Sequence, residues 1–174
     1  MDRIYVENSL TRETLNLTSD SEVEEILLVS IALKKQEIDA KILEIIAKQN
    51  PHKLVFRLTF EDRGQLALYH GKLYRTAWMP SEGLALSAKG YSLAEIWDGL
   101  IEQIALYEER AEATAGWSID ERLALQERIV KLEKLIAKTE AAAWKEQQPK
   151  KRFELYSKVQ TYKKELEELK THGC

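Results

Sequence analysis

Near the C-terminal end, apolar residues recur every three or four positions in two separate runs. Nothing else in the chain restricts the possible fold so strongly. Leu125, Ile129, Leu132, Ile136, Thr139 and Ala143 are spaced 4, 3, 4, 3, 4. Beyond Pro149, Leu155, Val159, Tyr162, Leu166 and Leu169 are spaced 4, 3, 4, 3. A mean spacing of 3.5 keeps these side chains on one face of a helix, where they form a seam. Each seam is only about three heptads long, too short to hold an isolated helix in water. Each therefore needs a partner. Only the sequence QQPKK separates them, so the simplest solution is an antiparallel helical hairpin. A single bent helix and pairing with another chain are the rival arrangements. Ser118 and Glu121 form a capping-box pattern at the start of the first run, and Trp144 and Phe153 flank the tip, where they can pack across it.

The preceding residues read differently. EVEEILLVSIAL (22–33) places Leu27, Val29, Ile31 and Leu33 on one face of a strand, and Ile26, Leu28 and Ala32 on the other. A strand apolar on both faces belongs inside a sheet. From Gln36 to Lys48 the period becomes helical, through Ile38, Ile42, Ile45 and Ile46, and Asn50-Pro51 ends the run. KLVFRLTF (53–60), QLALYH (65–70) and KLYRTAW (72–78) then read as strands. Asp62-Arg63-Gly64 and His70-Gly71 supply the turns between them. Short turns imply an antiparallel meander, whereas the first strand, helix and second strand imply a βαβ-like crossover. Met79-Pro80 closes the sheet region. Ser92 and Glu95 open a further helix with an apolar stripe of Leu93, Ile96, Trp97, Leu100, Ile101 and Ile104. Burying each such side chain against the sheet is worth roughly 1.5–3 kcal/mol before ordering costs.

The expected fold class is therefore α+β: a small, mixed, mostly antiparallel sheet covered by helices, with a C-terminal antiparallel coiled-coil hairpin. Residues 1–117 form the expected core domain and 118–174 the arm. The chain length of 174 residues allows one core plus such an appendage. Charge divides along the same line. Residues 1–117 hold 13 Lys/Arg and 19 Asp/Glu, a balance of −6, and residues 118–174 hold 13 and 10, a balance of +3. The acidic body disfavours non-specific nucleic-acid binding, and only the arm attracts phosphate. The single cysteine, Cys174, excludes an internal disulfide and a cysteine-based zinc site. No apolar run reaches the ~20 residues of a membrane span. MDRIYVENSL lacks the basic and apolar regions of a signal peptide. The expectation is a cytoplasmic protein.

The chemistry-bearing motifs of nucleotide, zinc and serine enzymes do not occur in this sequence. His52, His70 and His172 fall in a loop, at a turn and in the tail, which does not suit a shared metal site. Glu61, Asp62 and Lys72 lie near strand ends, as the carboxylates and lysine of a metal-dependent nuclease would. Turn formation explains the two acids without function, and Lys72 keeps a hairpin soluble. Arg57, Tyr69, Tyr74, Arg75 and Trp78 on the sheet suit base stacking, though cross-strand pairing also accounts for them. At the arm tip, Lys150, Lys151 and Arg152 read as a solvated end or, more sharply, as a contact for phosphate or an acidic partner; with Trp144, Phe153 and Tyr156 they make the candidate docking set.

The run ETLNLTSDSEVEEILLVSIALKK, then HKLVFRLTFED, YRTAWMP and KKRFELYSKVQTYKKELEELK, resembles a bacterial domain-of-unknown-function family, number 4391. The order of the segments carries the resemblance, which covers nearly the whole chain. It implies an accessory role in a phage-defence or restriction-modification-like system, beside a helicase or DNA methyltransferase. It also implies several dozen residues ahead of the LNL segment, a helical part that this chain has lost or never had. The family pattern places a lysine after the middle-strand tyrosine, where this chain has His70 after Tyr69. The resemblance transfers no catalytic residue.

Together these readings lead to a non-enzymatic interaction protein without cofactor or metal, docking a larger partner through its arm. The alternative is a nucleic-acid-binding or metal-dependent nuclease subunit. Homodimerisation through the heptads is a third outcome.

Overall fold

The computed structural model describes residues 3–17, 21–106 and 116–172. The chain forms two compact units, residues 1–107 and 108–174. The boundary expected at 117/118 falls just after a stretch, 107–115, that lies outside the described residues.

The first unit is built on one sheet. Its central strands are β2 (Glu25–Ala32) and β3 (Lys53–Phe60), which run parallel, with Val29 opposite Phe56 and Ile31 opposite Leu58. Parallel neighbours need a crossover, and α1 (Ala40–Gln49) supplies it. Asp39 caps this helix by accepting a hydrogen bond from the Lys41 amide at 2.9 Å. β4 (Arg63–His70) returns antiparallel to β3 around a two-residue loop, Glu61-Asp62. Glu61 takes a φ of 53°, in the left-handed region. β5 (Lys72–Arg75) turns back at Gly71, whose φ of 68° suits a residue without a Cβ.

The strand expected over 72–78 is broken. β5 ends at Arg75, and a second short strand, β6 (Met79–Pro80), pairs with the start of β4. Thr76 bridges the gap. Its backbone N–H donates to Leu66 O at 3.0 Å, and its Oγ1 accepts from the Leu66 amide at 3.1 Å. Met79-Pro80, expected to close the sheet, thus extends it.

The opposite edge is β1 (Arg3–Thr11), a strand not anticipated from the sequence, antiparallel to β2. A bulge falls between Val6 and Asn8. It turns Glu7 onto the face that carries Ser30 and Arg57. The Ser30 hydroxyl and the Arg57 guanidinium both donate to the Glu7 carboxylate, the latter at 2.9 Å.

Helices cover both faces. On one, Leu43 of α1 packs with Val29, Ile31, Leu54, Phe56, Leu58 and Ala67. On the other lies α2 (Leu93–Ala105), which buries all six residues of the expected stripe. Ser92 caps α2 through the Glu95 amide, but the Glu95 carboxylate accepts from Tyr91 rather than from Ser92. The expected capping box is therefore half formed.

The second unit is the antiparallel pair α3 (Ile119–Lys145) and α4 (Pro149–His172). Leu132, Ile136, Thr139, Ala143 and Val159 are buried, and Ile129 and Leu166 half-buried. Each helix supplies one side of the seam. Arg128–Glu165, Lys163–Glu140 and Lys170–Glu133 pair across the helices at 2.8, 2.7 and 2.9 Å. These exposed pairs add little stability; they fix register. Ser118 and Glu121 form the full capping box.

Candidate functional site

Among the described residues, two clusters of polar and aromatic groups are candidates for function. The first is the tip of the hairpin. Glu146–Gln148 is a three-residue connection, tightened by the Gln148 amide donating to the Glu146 carboxylate at 2.9 Å. Pro149 opens α4, where its missing N–H costs nothing. Lys150, Lys151 and Arg152 follow at once, all exposed, and no acidic residue accompanies them in the first turn. A helix N-terminus carries partial positive charge, so each cation there opposes the helix by about 0.3–1 kcal/mol.

Trp144 is 80% exposed and Phe153 75% exposed, so they do not pack across the tip as the sequence suggested. Tyr156 lies three residues beyond Phe153, on the same face of α4, and is 39% exposed. The tip thus combines three aromatic surfaces and three cations on a stiff support.

The second place is a cavity of about 400 Å³ in the first unit, lined by Lys35, Gln36, Glu37, Ile38, Asp39, Gln65, Arg75 and Trp78. It sits where β2 hands over to α1, at the carboxyl end of the parallel pair. Open α/β sheets place ligand crevices there. Arg75 donates from both Nη atoms to Ile38 O at 3.4 and 3.3 Å. Burial pushes its guanidinium below its ordinary pKa, while the Asp39 carboxylate acts in the opposite direction. Gln65 is 7% exposed; its Nε2 donates to Thr76 O at 2.6 Å, and its Oε1 has no hydrogen-bond partner. Lys35 pairs with Glu37 at 3.3 Å. Trp78 packs its ring against the core beneath α1.

The structure divides the five sheet residues considered for base stacking. Arg75 and Trp78 meet in the cavity. Tyr69 shares their sheet face, but the Lys48 ammonium sits 4.9 Å from its ring, and Tyr69 holds the Lys48 pKa up. Tyr74 points to the opposite face with Lys72, whose ammonium is 4.8 Å from its ring. Arg57 is on that opposite face too, held by Glu7.

Glu61 and Asp62 form the β3–β4 loop, and the Asp62 carbonyl accepts from the Ser81 amide at 2.8 Å. His52 lies 3.3 Å from Glu25. Among the described residues no three His, Cys, Asp or Glu side chains gather as a metal site. The His172 side chain and Cys174 lie outside the described residues. No described helix is long and apolar enough to cross a membrane.

Gln65 and the Lys35–Asp39 loop were not singled out from sequence. Their signal was the βαβ unit itself, whose first strand ends at this loop.

The chain matches the family described as Domain of unknown function (DUF4391) over residues 1–166. No curated protein and no solved structure matches it.

Proposed function

We propose, for a chain that belongs to the DUF4391 family, an accessory role in which the helical hairpin docks a larger protein through its tip. The observation that carries this reading is the pair Trp144 and Phe153, 80% and 75% exposed, beside Lys150, Lys151 and Arg152. Large aromatics and arginine are the residues that dominate interface energies. Here they cost the fold something: apolar rings stand in water and cations oppose a helix end. Sequences break local rules of this kind mainly at functional positions. The partner surface that fits is an apolar pocket rimmed by carboxylates. Following the family resemblance, we assign that surface to a helicase or DNA methyltransferase of a phage-defence or restriction-modification-like system.

The test is co-purification of the full chain with a helicase or DNA methyltransferase of such a system. Trp144→Ala with Phe153→Ala should weaken the complex about 30-fold or more, as loss of an anchor residue does. Reversing Lys150, Lys151 and Arg152 to Glu should slow association and remove its salt dependence. Stability of the free chain should stay within about 0.5 kcal/mol in the double variant, because neither ring is packed. Unchanged affinity in both variants would refute docking through the tip.

A further inference from the structure

The cavity between β2, α1 and the β5–β6 edge makes different demands from those of the hairpin tip. Three groups converge on it, Gln65 from β4, Arg75 from β5 and Trp78 from the link between β5 and β6, and each presents a different kind of contact. Trp78 offers a flat aromatic wall. Gln65 offers an amide whose Nε2 is fixed on Thr76 O at 2.6 Å, which settles the orientation of the amide and leaves Oε1 as an acceptor without a donor. A buried carbonyl oxygen in that state costs about 1–3 kcal/mol; the atom is closed to solvent, so a ligand N–H removes that cost after a small shift of the side chains that cover it. Arg75 spends two of its five N–H groups on the single carbonyl of Ile38, through bonds of 3.3–3.4 Å. It retains donors for a ligand carbonyl.

The remaining lining residues balance in charge: Lys35 against Glu37, and Arg75 against Asp39. A neutral cavity with an aromatic wall, one acceptor and one forked donor does not select a phosphate. It selects a planar heterocycle with an N–H beside a carbonyl. The volume of about 400 Å³ lies in the usual range for small-molecule sites.

We infer that this cavity binds the nucleoside portion of a nucleotide, with the base lying on Trp78, a ring N–H donating to Gln65 Oε1 and a base carbonyl accepting from Arg75. Guanine and uracil present that donor–acceptor edge. Glu37 and Asp39 at the mouth suit ribose hydroxyls, the role an acidic residue plays at the end of a parallel strand in dinucleotide sites. Any phosphate then projects toward solvent. The balance of −6 over residues 1–117 favours a free nucleotide over a strand, whose many phosphates the body would repel. The site shares no residue with the hairpin tip, so either can fail without the other.

Isothermal titration of the full chain with guanosine, uridine, their 5′-monophosphates and short single-stranded oligonucleotides tests the assignment. Saturable binding of nucleoside and monophosphate with similar affinity is expected. Gln65→Leu and Arg75→Gln should each weaken it about tenfold or more, and Arg75→Lys should lose most of it as well, because a point charge does not replace the fork. A thermal melt of each variant, with its transition retained, shows that loss of binding is not loss of fold. Binding that survives both Gln65→Leu and Arg75→Gln, or no binding of any of these ligands to the unmodified chain, overturns the site. Binding confined to oligonucleotides, with a steep salt dependence, overturns the assignment to a free nucleotide.

Discussion

The two units of this chain treat their largest aromatic residues in opposite ways. In the sheet unit Phe56 is fully buried at the centre of the face beneath α1, surrounded by residues from β2, β4 and α1. In the hairpin Trp144 stands 80% exposed one position beyond Ala143, which is fully buried. The difference follows from what holds each unit together. The sheet joins segments distant in sequence, so it must gain enough from burial to offset long loop closures. Phe56 and Trp97 go inside, while Tyr91, outside any helix or strand, stays 82% exposed. The hairpin closes over a three-residue connection, and its seam is filled mainly by leucine, isoleucine, valine and alanine, with Thr139 buried and Tyr162 half-buried among them. The closure cost is small, so the arm holds its shape without Trp144 and Phe153. They are left over for another surface.

This contrast is broken most directly in the sheet. Phe56→Ala empties the centre of a core that has no local alternative, and should cost about 3–5 kcal/mol. Urea unfolding followed by circular dichroism should show the transition of the sheet unit moving to much lower denaturant while helical signal from α3 and α4 persists. If both signals move together by the same amount, the two units unfold as one and the contrast drawn above is wrong.

Ile136→Ala makes the complementary cut. Ile136 is buried in the seam between two helices only, and a two-helix seam collapses more readily around a cavity than a layered core does. The expected loss is about 2–3 kcal/mol, at the lower end for such truncations, and it should appear in the helical signal alone. Ser118→Ala reaches a smaller term. It removes the hydroxyl that accepts from the Glu121 amide at 3.3 Å, and should cost about 1 kcal/mol. Amide exchange should speed up in the first turn of α3 and nowhere in the sheet.

The same contrast explains what could be read from the sequence. The hairpin, both helices of the sheet unit and the parallel–antiparallel order of β2 to β5 were legible, because each rests on local periodicity and turn chemistry. The order of four weak segments also identified the family. β1 was not legible. Ile4, Tyr5 and Val6 are consecutive and about half exposed, and the bulge at Glu7 breaks the period of two that marks a strand. The break in the 72–80 edge was hidden because Thr76 replaces a ladder bond with its side chain. The five residues considered for stacking were separated by parity, which becomes decisive only once register pairs Ala67 with Arg75 and Leu68 with Tyr74. Exposure at the tip was equally out of reach. Sequence names Trp144 and Phe153 but does not show that the seam closes without them.

The smallest effect concerns the start of α3, and here pH discriminates where substitution does not. Glu121 accepts from both the Ser118 amide and the Ser118 hydroxyl, at 2.9 and 2.8 Å. These bonds, the backbone one foremost, favour the ionised carboxylate and hold its pKa below the ordinary value. A carboxyl group whose folded pKa is depressed stabilises the fold at pH above its unfolded value, and that contribution is lost as pH falls through the folded pKa. The first turn of α3 should therefore be intact at neutral pH and fray as the solution is acidified below the usual range for glutamate. Glu121→Gln keeps a side chain that can accept one bond but cannot titrate, so its first turn should be slightly weaker at neutral pH and insensitive to acid. Amide exchange at the α3 N-terminus across an acid titration separates the two. If the native chain and Glu121→Gln fray in parallel, the capping box is not the titrating element, and the acid response belongs to the exposed ion pairs between α3 and α4 instead.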